Sequence, residues 1–137
     1  MVSDTMYWFG RTYLVSITIP LYLLISIPAG TKTNIQGKAM MGHIKLLENR
    51  GFPCNKVIVD SERGLVGLVN RIPGVEIDVV GAGDHLPLVD IQIQRLKEMC
   101  RAIVSGLPFT LPCNRIDDVV AYSVNRKKHT SNKIVER

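Results

Sequence analysis

The chain has 137 residues, of which 46% are hydrophobic and 21% are charged, and its net charge is +5. This length fits one domain with a moderate core, and the composition excludes a disordered chain. The three cysteines are irregularly spaced and no Cys-x-x-Cys motif is present, which argues against a disulfide framework and against a zinc site.

Most of the positive charge lies at the C-terminal end. Residues 126–137 carry five Lys or Arg and one Glu, which is +4 of the net +5. Such a segment is typical of a solvated chain end, and it can also neutralise nucleic-acid phosphates. We predict one domain over residues 1–128, followed by a basic C-terminal tail over residues 129–137.

The beginning of the chain predicts three antiparallel strands. Residues 1–9, 13–19 and 21–27 are rich in β-branched and aromatic side chains. Gly10 and Arg11 supply a turn between the first two strands. Together these segments predict an antiparallel meander.

The same region is the most apolar part of the chain. Residues 13–30 contain two prolines and fall short of the ~20 clean apolar residues that a membrane-spanning helix needs. Two strands broken at Pro20 are the favoured interpretation, because proline cannot donate a hydrogen bond inside a sheet. A small membrane-associated protein anchored by residues 13–30 is the alternative.

The rest of the chain alternates between helices and strands. The predicted helix over 88–105 has a core-facing seam whose apolar residues are spaced by four and three. Strands that precede crossover helices in this way imply a mixed sheet flanked by helices. The predicted helices cover residues 36–49, 61–72, 88–105 and 116–125, and the predicted strands cover residues 56–60 and 75–80.

Three acids could meet in such a fold. Asp4 is the acid of the first strand, Asp60 closes the strand over 56–60, and Asp90 lies in the first turn of a helix, where the helix dipole stabilises an anion. Taken singly, each has a simpler interpretation as a surface, loop or helix-end charge. If the fold brings them together, they form an oxygen-rich site suited to two Mg²⁺ or Mn²⁺ ions.

Five stretches of the chain together form a recognisable pattern. They are DTMYWFGRTYLVSITIPL (4–21), VIVDSE (57–62), GAGDHLPLVDIQIQRLKE (81–98), LPFTLP (107–112) and AYSVNR (121–126). In their order and spacing, which cover nearly the whole chain, these stretches resemble the integrase catalytic core of Copia-type retrotransposon polyproteins.

This resemblance implies an α/β ribonuclease H-like fold, with three antiparallel strands followed by parallel strands. It also implies DNA integration by a metal-dependent endonuclease and polynucleotidyl transferase. Asp4, Asp60 and Asp90 take the positions of the catalytic, metal-binding acids, and Asp90 stands where the family usually has Glu. A catalytically inactive integrase relic that binds nucleic acid is the alternative.

The resemblance further implies that DNA is the partner. His85, in a glycine-rich loop, and Gln94, Lys97 and Arg101, on the following helix, are the expected phosphate contacts. A solvated helix face explains Lys97 and Arg101 equally well, and an exposed loop histidine without a role explains His85 equally well. We expect a homo-oligomer that acts in the nucleus of a cell, with no membrane or small-molecule partner. The chain would be a fragment of a longer polyprotein.

Overall fold

The first two strands form a hairpin around a two-residue turn. In the computed structural model, Phe9 and Gly10 have φ angles of 49° and 70°, and Trp8 pairs directly with Arg11. Positive φ at both turn residues matches a type I′ turn, whose twist suits a tight hairpin. The turn therefore lies one residue earlier than the predicted Gly10–Arg11.

The structure describes residues 1–19, 23–30, 32–59, 63–68, 71–80 and 87–135, and the side chains of all of these except 63, 64 and 128–135. Five strands and four α-helices follow one another in the predicted order. They are β1 (Val2–Trp8), β2 (Arg11–Ile17), β3 (Leu24–Ala29), α1 (Thr33–Asn49), β4 (Lys56–Val59), α2 (Arg63–Val66), β5 (Glu76–Val79), α3 (Pro87–Ser105) and α4 (Ile116–Val135), with a 3-10 turn at Cys113–Arg115 before α4.

The strands form one mixed sheet with the order β3-β2-β1-β4-β5. β1 pairs antiparallel with β2, and β2 pairs antiparallel with β3. β4 lies parallel to β1 on its other side, and β5 lies parallel to β4. The predicted fold class, three antiparallel strands followed by parallel strands and flanked by helices, is confirmed.

Both faces of the sheet are covered. On one face, α3 and α4 pack over alternate residues of β1 and β2, such as Met6 and Val15. On the other face, α1 and the segment that follows β4 pack over Leu14, Val57 and Val59. Since each fully buried aliphatic side chain contributes ~1.5–3 kcal/mol, the helices are held firmly against the strands.

Within residues 13–30, the structure places residues 13–17 in β2 and residues 24–29 in β3. β2 ends two residues earlier than predicted, and the backbone of Leu23 donates a hydrogen bond to the Thr18 hydroxyl (3.0 Å) in the connection to β3. β3 is an edge strand, which accommodates Pro28. The strand interpretation is thus confirmed, and no helix within the described ranges is long and apolar enough to cross a membrane.

The last helix is longer than predicted. α4 was expected to end at Asn125 but continues to Val135. The backbone therefore stays helical through most of the basic segment over 126–137.

Candidate active site at the centre of the sheet

Asp4 lies in the middle of the central strand β1. Strand alternation places it on the same face as Val2 and Met6, which are buried beneath α3 and α4. Its carboxylate is partly buried, and Oδ1 accepts a hydrogen bond from the backbone N–H of Thr5 (2.8 Å). Asp4 therefore places a carboxylate on a face of β1 whose other residues, Val2, Met6 and Trp8, are apolar.

The C-terminal end of β4, which runs parallel to β1, lies next to the position of Asp4. Ser3 of β1 is paired with Val59, the last residue of β4. In the sequence, Asp4 directly follows Ser3 and Asp60 directly follows Val59. Asp60 itself lies outside the described residues, and so does His85.

The third predicted acid lies at the start of α3. Pro87 is the first residue of this helix, a position that proline favours because its missing N–H would have no partner there. Val89 and Ile93 are buried against the sheet, and Asp90 is exposed in the first helical turn. The face of β1 that carries Asp4 is therefore covered by the helix that carries Asp90.

A polar flank extends from Asp90 along α3. Gln94 and Arg101 are exposed and Lys97 is partly buried, and their spacing of four, three and four places all of them on the flank of Asp90. None of the four side chains forms a hydrogen bond or ion pair with another described residue. Asp90, Gln94 and Arg101 are thus exposed, and no described side chain pairs with them.

The opposite flank of α3 holds α4 through a contact that the sequence does not reveal. Lys127 donates a hydrogen bond to Oε1 of Gln92 (2.8 Å). Burial lowers the pKa of Lys127 below its ordinary value, and the charge of Arg95 lowers it further. This contact lies within one helical turn of Asp90, and it directs the basic end of α4 toward the start of α3.

At its other end, α4 is fastened to β2. Tyr13, which is 1% exposed, donates a hydrogen bond from its hydroxyl to Oδ1 of Asp117 (2.6 Å). Arg11 reaches the same carboxylate (3.3 Å) and also donates to the backbone carbonyl of Cys113 (2.8 Å). Burial, the hydrogen bond and the charge of Asp117 raise the pKa of Tyr13 above its ordinary value.

The donor chemistry of the described acids suits a hard divalent cation. Asp4 and Asp90 offer carboxylate oxygens, which are the ligands that Mg²⁺ and Mn²⁺ prefer. Within the described ranges, no group of three or more His, Cys, Asp or Glu side chains is placed to hold a metal ion. A third carboxylate would have to come from a residue outside those ranges, and Asp60 is the one adjacent to Val59.

Comparison with solved structures identifies the fold. The chain is similar to the catalytic core domain of BIV integrase, with a TM-score of 0.60 and 10% sequence identity, over 90% of this chain and 78% of that one. No protein-family model and no curated protein matches the sequence. The protein therefore has the ribonuclease H-like fold of an integrase catalytic core.

Proposed function

We propose that this protein is a metal-dependent DNA strand-transfer and endonuclease core. Asp4, Asp60 and Asp90 would hold two Mg²⁺ or Mn²⁺ ions. Bound there, the ions would activate the attacking oxygen and stabilise the leaving oxygen of a phosphodiester. In the proposed reaction, water first cleaves a DNA end, and the freed 3′-hydroxyl then attacks target DNA by in-line displacement.

The register of the two central strands is the observation that carries this proposal. Because Ser3 and Val59 are paired on parallel strands, we expect the acids that follow them in the sequence to lie side by side, which supports a shared cation. Asp90 would complete the set from the helix above. The similarity of the fold to the BIV integrase core supports the same arrangement.

A Mn²⁺-dependent nicking and strand-transfer assay tests the proposal. Wild-type protein is expected to be active, and Asp4→Asn, Asp60→Asn and Asp90→Asn are expected to abolish activity. Asp118→Asn is the matched control, because Asp118 is an exposed acid on α4 that pairs with Arg115 (3.0 Å) and is not one of the proposed metal ligands. Activity that survives Asp60→Asn would eliminate the assignment of the site.

The proposed DNA contacts lie on the polar flank of α3 and in the loop before it. Lys97, Arg101 and Gln94 would contact phosphates, with His85 as a further contact. Replacing Lys97 by Ala should weaken binding uniformly across sequences and reduce the salt dependence of affinity by about one counterion. Fluorescence anisotropy at several salt concentrations measures this effect. Arg50→Ala, at the end of α1, is the control, and equal effects of the two variants would contradict the assignment.

We further propose that the protein derives from a Copia-type retrotransposon. A Copia-type element would use such a core in the nucleus of its host, with DNA as the partner. The core would assemble as a homo-oligomer, which light scattering can check.

The competing function is that of a catalytically inactive integrase relic that binds nucleic acid. The shorter side chain of Asp90, where similar integrase cores have Glu, favours this alternative. Tight DNA binding without any nicking by the wild-type protein would establish that version.

A further inference from the structure

An aromatic residue occupies an unusual backbone position at the tip of the β1–β2 hairpin. Phe9 is the only described residue other than glycine with a positive φ, which is 49°. The first central position of a type I′ turn favours Asn, Asp or Gly, because a bulky side chain crowds the backbone at positive φ. Phe9 is also 60% exposed. Neither the backbone nor burial favours Phe at this position, so a contact at the surface explains it better.

Trp8 holds the ring of Phe9 at the hairpin tip. The two ring centroids are 4.6 Å apart and the ring planes meet at 89°, which is the edge-to-face arrangement that aromatic pairs prefer. Trp8 itself is 5% exposed and belongs to the core beneath α3 and α4. The contact restricts the rotation of Phe9, so a ligand that stacks on this ring removes little further freedom from it.

The hairpin projects past the end of β4 on the side of the proposed metal site. β4 pairs with β1 at Val2 and Ser3, and no described strand pairs with residues 4–8 on that side. A strand rises ~3.3 Å per residue, so Phe9 lies about 16 Å from Asp4 along β1. Within the described part of the chain, an open edge of the central strand therefore leads from Asp4 to the aromatic tip.

α3 runs in the same direction as this edge. α4 begins beside the hairpin, where Asp117 is hydrogen-bonded to β2, and farther along it Lys127 reaches Gln92 near the start of α3. Between these two points, Ser123 of α4 contacts Cys100 in the later part of α3. The two helices are therefore antiparallel, and α3 runs from the acids toward the hairpin.

The polar flank of α3 faces the same edge. This flank lies opposite α4, and α4 packs on β3, so the flank faces the β4 side of the sheet. At a rise of ~1.5 Å per residue, Asp90 and Arg101 are about 16 Å apart along α3. The flank and the strand edge are therefore similar in length, and both lead from the acids toward Phe9.

We propose that Phe9 stacks on a nucleobase of the bound DNA. The base would lie about five nucleotides from the reacting phosphodiester, because DNA rises ~3.4 Å per base pair. Lys97 and Arg101 would bind the phosphates between these two points. A cationic track that ends at an exposed aromatic ring suits a strand with unpaired bases, since every base offers a surface for stacking. This inference rests on the proposed function and adds to it a preference for DNA that is unpaired at that position.

Fluorescence of DNA ends that carry 2-aminopurine at successive positions tests this proposal, because stacking on an aromatic ring changes the emission of that base. The measurement is made without divalent ions, so that the DNA stays intact. Wild-type protein should change the emission most at about the fifth nucleotide from the bond cleaved in the nicking assay. Phe9→Asn should remove this change and weaken binding to DNA with an unpaired base there by about tenfold. Phe9→Tyr, which keeps an aromatic ring, should retain both.

Urea unfolding separates lost stacking from lost structure. Asn is favoured in a type I′ turn, so Phe9→Asn should unfold at the same urea concentration as the wild type or at a higher one. Phe52→Asn is the matched control for binding, because Phe52 is an exposed aromatic residue (45%) beside Met1, at the other end of the sheet. This variant should bind DNA like the wild type.

Four results would overturn the proposal: emission that changes equally at every position, unchanged DNA binding by Phe9→Asn, equal weakening by Phe52→Asn, or a lower urea midpoint for Phe9→Asn. Any of these together with nicking that requires Asp60 would overturn this inference alone. A signal that depends on Phe9, together with nicking that survives Asp60→Asn, would overturn only the assignment of the metal site.

Discussion

Asp90 is the proposed metal ligand that differs in residue type from the one expected, because similar integrase cores have Glu at this position. Its side chain is one methylene shorter than the Glu of similar integrase cores, so its oxygens would lie about 1.5 Å farther from the proposed shared cation. Misplacement of about 1 Å can reduce a rate ~100-fold. Because Asp90 is exposed in the first turn of α3, a longer acid fits there without disturbing the core.

We therefore predict that Asp90→Glu increases Mn²⁺-dependent strand transfer, by up to ~100-fold. The measurement is the initial rate of nicking and joining under single-turnover conditions. Asp118→Glu, an equivalent lengthening on α4, should leave the rate unchanged. If Asp90→Glu and Asp90→Asn both behave like the wild type, Asp90 is not part of the site.

For single residues, the sequence predicted which side chains share one side of a helix, but it did not predict contacts between residues far apart in the chain. The spacing of α3 predicted that Asp90, Gln94, Lys97 and Arg101 share a flank, because helical geometry depends on neighbours in sequence. The hydrogen bond from Lys127 to Gln92 joins residues 35 positions apart. No local pattern marks such a pair, since it follows from how α3 and α4 pack.

Among the elements, α4 depends on polar contacts for its position. The hydroxyl of Tyr13 and the guanidinium of Arg11, both on β2, converge on Asp117 in its first turn. Ser123 of the same helix accepts a hydrogen bond from the buried thiol of Cys100 on α3 (3.3 Å). These contacts fix α4 against both the sheet and α3, and thereby fix where its basic end lies.

We predict that Tyr13→Phe lowers the free energy of unfolding by about 0.5–1.5 kcal/mol at neutral pH, since it removes the hydrogen bond from Tyr13 to Asp117. Tyrosine in the unfolded chain loses its proton near pH 10, whereas folded Tyr13 has a raised pKa and keeps it. The stabilisation is therefore complete below about pH 10 and is lost as the pH rises above it.

Urea unfolding of wild type and Tyr13→Phe, at neutral pH and at about pH 11, measures this difference. The gap between the two proteins should narrow at the higher pH. Tyr122→Phe is the control, because Tyr122 is 54% exposed and its loss should change stability little. A gap that stays constant with pH would contradict the role given to Tyr13.

The order and type of the elements were predictable, and several boundaries were not. Alternation and β-branched residues identified β1 to β3, but β2 and β3 are displaced from the predicted ranges on either side of Pro20 because tertiary pairing sets the register. α4 continues beyond Asn125 through a polar, basic sequence. Because this sequence has few apolar residues, no apolar periodicity marks it as helical.

In the molecule as a whole, the two faces of the sheet are covered by different helices. α3 and α4 cover the face of Asp4, where the proposed metal site and DNA flank lie. α1 covers the other face, where it packs over Leu14, Val57 and Val59.

The central claim is that acids distant in sequence share divalent cations above the middle of the sheet. A crystal structure of the protein grown with Mn²⁺, with anomalous scattering recorded for the metal, tests it most directly. We expect two manganese peaks ~3.5–4 Å apart, bound by the carboxylates of Asp4, Asp60 and Asp90. Carboxylates that point away from one another, with no peak between them, would contradict the claim.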